Sequence, residues 1–119
     1  MQEFTKLELE VKNQQGITKR FTCDLVTDWV RKAGEAIPVV CPWLVNFHAN
    51  YAVLNDFTGY RGAFEVIRYH FLEGCSADGE IESSDDEILA TWQFLADGKP
   101  VSYDTLQALT RFRYHLLNC

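Results

Sequence analysis

A chain of 119 residues fits one domain comfortably and two poorly. Apolar residues make up 47% of it, with eight Phe, five Tyr and three Trp, which is enough for a core without staples and argues against general disorder. The net charge of −6 opposes a phosphate-binding role, which draws on clustered Lys and Arg.

The first elements read as strands. Leu7, Leu9 and Val11 alternate with Lys6, Glu8 and Glu10, and Ile17, Lys19, Phe21 and Cys23 alternate with Thr18, Arg20 and Thr22. Asn13-Gln14-Gln15-Gly16 between them suits a turn, so the spacing predicts an antiparallel hairpin with one apolar face. A helix is expected over 25–35, capped by Asp24, with Leu25, Val26, Trp29, Val30 and Ala33 on one side and Gly34 and Pro38 at its end. Residues 43–54 satisfy both periods, with a lean towards helix or irregular structure because Ala and Asn are weak strand formers.

Asp56 is the expected cap of a further helix, on which Tyr60, Phe64, Ile67 and Phe71 recur and which Gly74 ends. Gly59 and Gly62 point to a late helix start or a close backbone contact. Ser84-Asp85-Asp86-Glu87 matches a capping box for a helix over 85–96 carrying Ile88, Leu89, Trp92 and Leu95. After Asp97-Gly98-Lys99-Pro100, a last helix is expected from Ser102 to about Leu117. The expected fold is therefore α+β: an N-terminal antiparallel β-hairpin packed against a predominantly helical remainder of about four helices. Leu7, Phe21, Trp29, Phe64, Ile67, Trp92, Leu106 and Leu109 are its expected core.

The charge is concentrated. Residues 1–75 sum to −1 and residues 89–119 to +1, while Asp78, Glu80, Glu82, Asp85, Asp86 and Glu87 contribute −6 with no basic residue among them. Such a run repels itself and stays solvated, so 76–87 reads as an acidic linker or loop inside a single domain over 1–119. Helix capping accounts for Asp85, Asp86 and Glu87 but leaves the alternating Asp78, Glu80 and Glu82 without a structural reason. An EF-hand needs Gly and Glu where Ser83 and Leu89 stand, so calcium is a poor explanation.

Arg68-Tyr69-His70 and Arg113-Tyr114-His115 repeat one tripeptide near two expected helix ends. Arg and His suit a helix C-terminus, and Arg and Tyr also suit a secondary interface. Cys23, Cys41, Cys75 and Cys119 form no C-x-x-C pair and no zinc-ligand spacing, which favours reduced thiols in apolar surroundings without excluding a disulfide. No nucleotide-binding, metalloprotease or nucleophile-elbow motif is present, so neither catalytic residues, a cofactor nor a metal is assigned.

No leader or apolar run of spanning length is visible, which suggests a cytoplasmic protein away from membranes. In size and charge the chain resembles toxin-immunity proteins and phage-encoded inhibitors of bacterial defence nucleases, a likeness of format without a shared motif. That resemblance implies a basic protein partner, such as a nuclease or nucleic-acid-binding complex, engaged through Asp78, Glu80, Glu82, Asp85, Asp86 and Glu87. A helix-turn-helix regulator using 85–117 is the second reading and a small enzyme of unknown class the third. Self-association stays open.

Overall fold

The computed structural model describes residues 5–108. Strands account for 46% of it, in a curled antiparallel half-barrel, with three short helices. This overturns the expected hairpin on a helical remainder. In chain order the elements are β1 (Leu7–Asn13), β2 (Thr18–Lys32), β3 (Glu35–Leu44), α1 (Phe47–Thr58), α2 (Ala63–Gly74), β4 (Asp78–Glu82), β5 (Ile88–Ala96) and β6 (Lys99–Pro100). A third helix occupies 103–108, the end of the described residues. The sheet order is β3-β2-β1-β5-β4, with β6 paired to β5.

The first hairpin forms where the alternation places it. Leu9 pairs with Phe21 on one side and Phe94 on the other, and Leu7, Leu9 and Val11 all face the core. Asn13 closes the turn, its side-chain carbonyl accepting the N–H groups of Gln15 and Ile17, while Gly16 takes a φ of 78°. α1 realises the helical alternative for 43–54, beginning later and ending at Gly59, whose N–H bonds the Asn55 carbonyl. The late start of α2 is also observed: its N-cap is Gly62 at φ 87°, and the Asn55 side chain accepts the Ala63 N–H. Asp56, expected as that cap, lies inside α1.

Two expected helices are strands. Residues 25–35 continue β2, turn at Ala33-Gly34 (φ 52° and 81°) and return as β3. That pair of left-handed residues makes the tight turn whose twist matches a hairpin. Trp29, expected in the core, is 56% exposed on this arm. The 85–96 segment is chiefly β5, with Ala90, Trp92 and Phe94 inward. The expected capping box is a hairpin loop instead: Ser83, not Ser84, accepts the N–H groups of Asp85 and Glu87 through its hydroxyl. A helix-turn-helix over 85–117 therefore lacks its first helix. The 76–87 stretch is not wholly a linker, because Asp78–Glu82 is β4.

Leu7, Phe21, Phe64, Ile67, Trp92 and Leu106 are buried as expected; Leu109 lies outside the described residues. Phe71 stands between Phe94 and Tyr103 in edge-on contacts at 5.8 and 5.0 Å. Asp97 ties the start of β1 to the β5–β6 turn by accepting from the Thr5 N–H and hydroxyl and the Lys6 N–H, which holds its carboxyl below the usual range. No helix among the described residues is long and apolar enough to cross a membrane.

The middle of the free edge of β3 is blunted chemically. Over residues 38–42 the N–H positions facing away from β2 fall at Pro38, Val40 and Pro42, and proline has no N–H to offer. The remaining one is taken by the buried Gln107 side chain, which accepts from the Val40 N–H at 3.2 Å and donates to its carbonyl at 2.8 Å. Phe71→Ala is expected to cost about 3–5 kcal/mol. Gln107→Ala, which strands both Val40 groups, should cost about 1–3 kcal/mol. Ile17→Ala at the exposed turn should stay within about 0.5 kcal/mol. Urea denaturation of the three variants checks the order.

Candidate functional site

β4 is short and lies at the outer edge of the sheet. Alternation along it decides what each side chain meets. Ile81 points inward and is fully buried, whereas Asp78, Glu80 and Glu82 are exposed. These three carboxylates, which helix capping could not explain, thus form a row about 13 Å long on the outer side of an edge strand. Asp85, Asp86 and Glu87 continue the charge through the β4–β5 loop, which is held by bonds from the Ser83 N–H to the Glu87 carbonyl and from the Asp86 N–H to the Ser83 carbonyl. Asp86 adopts a φ of 61° there. Gln14 fastens this loop to the first hairpin by donating to the Glu87 carboxylate at 2.7 Å and to the Ile88 carbonyl.

None of the six carboxylates is ion-paired among the described residues. The ion pairs found there join Lys6 and Arg20 to Glu8, Arg20 to Glu10, and Arg68 to Asp28. Glu10 shows the contrast. It sits two strands from Asp78 on the same outer face, with Gln93 between them, and accepts from Gln93 and Arg20. The Gln93 bond first, and then Arg20, draw its carboxyl below the usual range.

The Arg68-Tyr69-His70 motif points three ways from α2. Arg68 pairs with Asp28 on β2 and stands 5.8 Å above the Trp43 ring, which is itself stacked on Phe47 at 4.8 Å. The Arg68 side chain thus already occupies that aromatic face, beside a cavity of about 350 Å³ lined by Trp43, Phe47, Phe64 and Tyr69. Tyr69 is exposed. His70 turns towards Trp92, 6.3 Å away between ring centres, and towards the acidic strand. Arg113, Tyr114 and His115 lie outside the described residues.

His70, Glu80 and Glu82 meet at one groove of about 500 Å³, completed by Tyr60, Val66 and Gly79. Sequence reasoning missed Tyr60, Val66, Gly79 and Trp92 as parts of a site. The legible signal was the glycine between two acids. A Cβ at Gly79 would fall 2.9 Å from the Trp92 ring, so the indole packs directly against the glycine backbone. Trp92 is 3% exposed, and its buried indole N–H has no hydrogen-bond partner among the described residues.

Nucleophilic chemistry finds little support in the thiols. Burial pushes both Cys23 and Cys41 up to about 12, so neither supplies thiolate near neutrality. Cys75 is exposed, at the C-cap of α2. Among the described residues, no three His, Cys, Asp or Glu side chains are grouped to hold a metal ion. No protein-family model, curated protein or solved structure matches the chain.

Gly79→Ala should force Trp92 to move and destabilise the fold by about 1–3 kcal/mol, with a change in tryptophan emission. Urea denaturation followed by fluorescence measures both. Arg68→Ala is expected to lower the melting temperature by about 2–6 °C by releasing Asp28 and uncovering Trp43, whereas Tyr69→Ala should leave it within about 1 °C. Calorimetry of the two variants separates an Arg68 that supports the fold from one that merely decorates a surface.

Proposed function

We propose that this chain is a small acidic protein-binding domain that docks the Asp78–Glu87 edge on a basic surface of a partner protein. A stoichiometric inhibitor or immunity-type factor acting on a nuclease or nucleic-acid-binding complex is the form of that activity. The observation that carries the reading is the set of six carboxylates on one exposed hairpin, none ion-paired among the described residues. Leaving so much like charge together opposes folding, and a cationic partner offsets that cost when it binds. An edge strand also keeps the row of charges at fixed spacing, so docking needs little ordering of the backbone.

Nucleic acid fits the same surface poorly, since phosphates and carboxylates repel. A partner that itself binds nucleic acid carries the required cationic groove, and the acidic row then stands where phosphates would lie.

The test replaces Asp78 by Asn and Glu80 and Glu82 by Gln in one triple variant. All three side chains are exposed, so thermal stability should be kept or slightly raised as repulsion falls. Immobilised wild type and triple variant are used to capture partners from lysate of the source cell, and association rates are measured for what the wild type retains. The triple variant should associate about tenfold or more slowly at low salt, with a flatter dependence on ionic strength. Equal rates and equal salt slopes would reduce the acidic row to a solvated edge.

A further inference from the structure

The sheet's two terminal strands are treated differently. On β3 the outward backbone positions 38–42 are occupied by two prolines and the Gln107 amide. On β4 no group among the described residues occupies those of Glu80 and Glu82. The Ala77 carbonyl accepts from the Phe94 N–H, so alternate residues Gly79 and Ile81 face β5, while Glu80 and Glu82 direct their N–H and C=O groups away from it. Ser76 caps the row at one end by donating its hydroxyl to the Asp78 carbonyl at 2.7 Å. An open strand edge is a template for another strand, and proteins usually blunt it as β3 is blunted.

Beside this edge runs the groove walled by Tyr60, Val66 and His70, with Glu80 and Glu82 on its rim. Behind Gly79, which lines the groove without a side chain, the buried indole N–H of Trp92, unpartnered among the described residues, lies 3.3 Å from the place a Cβ would occupy. A buried donor without an acceptor is costly, and an acceptor delivered over Gly79 would satisfy it. Charge chooses the occupant. A second copy of the chain would set the acidic row against itself, whereas an extended segment bearing a cation at every second residue matches the spacing of Asp78, Glu80 and Glu82.

We infer that the free edge of β4 takes an extended basic segment of the partner as an added antiparallel strand. This rests on the acidic-docking reading above and specifies its geometry. Residues directly opposite Glu80 and Glu82 share their face of the sheet, so these are the Lys or Arg positions, and it is their N–H and C=O groups that bond the edge. The intervening residues face Tyr60, Val66 and His70. They are small, with a side-chain oxygen such as that of Thr or Ser to accept the Trp92 indole hydrogen.

The test uses the wild-type protein and nine-residue peptides of alternating Lys and Thr. One is unmodified, one is N-methylated at the Lys positions and one at the Thr positions, so charge is equal throughout. Binding is followed by amide chemical shifts and hydrogen exchange. The unmodified and Thr-methylated peptides should bind alike, with the Glu80 and Glu82 amides shifted and slowed in exchange. The Lys-methylated peptide should bind about tenfold or more weakly, because it removes the donors facing the edge. Strand addition is overturned if the two methylated peptides bind equally, if the Glu80 and Glu82 amides do not respond, or if the unmodified peptide does not bind. The underlying reading fails separately: the triple charge variant would then bind the unmodified peptide as tightly as wild type does, at low and at physiological salt.

Discussion

Everything in this fold depends on the parity of β1. Leu9 is fully buried between Phe21 on β2 and Phe94 on β5, and both pairings are antiparallel. Side chains alternate with a period of two, so placing Leu7, Leu9 and Val11 inward obliges Glu8, Glu10 and Lys12 to face out. The constraint propagates across each ladder. Through β5 it turns Ala90, Trp92 and Phe94 inward, and through β4 it buries Ile81 and leaves Asp78, Glu80 and Glu82 in water. A slip of one residue would exchange the two sets and bury three carboxylates, each of which is costly to desolvate.

The helices complete the core and shape the edge. Phe64, Ile67 and Phe71 of α2 cover the inward faces of the strands, and the turn that follows, with Cys75 in a left-handed conformation, delivers the chain into β4. The same helix supplies His70 and Val66 to one wall of the groove and Arg68 to the other side, where it meets Asp28. Stability and the candidate site are thus built from adjacent faces of one helix, and substitutions on α2 have to be sorted by the direction each side chain takes.

The two ends of the sheet carry opposite chemical solutions to one problem. Along the middle of β3, two prolines and a side-chain amide take away the outward N–H groups that would invite another strand. Along β4, backbone capacity remains among the described residues, and a row of carboxylates guards it. Charge of that kind repels a second acidic copy while leaving the edge open to a cation, so protection against self-association and selection of a partner follow from the same carboxylates.

The sequence alone determined the first hairpin, the inward set of β1 and the whole location of the negative charge, because each rests on local period, turn chemistry or composition; for α2 it offered a late start only as one of two readings. The arm over 25–44 and strand β5 were decided by tertiary structure. Leu25, Val26, Trp29 and Val30 fit a helical spacing as well as an extended one, and the arm's outer part is exposed or half-buried on both faces, which erases the alternation that marks a half-buried strand. In β5 the inward Ala90, Trp92 and Phe94 alternate cleanly, but Leu89 and the buried Leu95 of the opposite phase hid the pattern. Ser83 and its acidic neighbours offered the same hydroxyl-to-backbone bonds that start a helix, and here they close a hairpin loop. The groove was beyond local reading altogether. Its lining comes from the α1–α2 connection, α2 and β4, and only the pairing of Gly79 with Trp92 sets a glycine against an indole thirteen residues further along the chain.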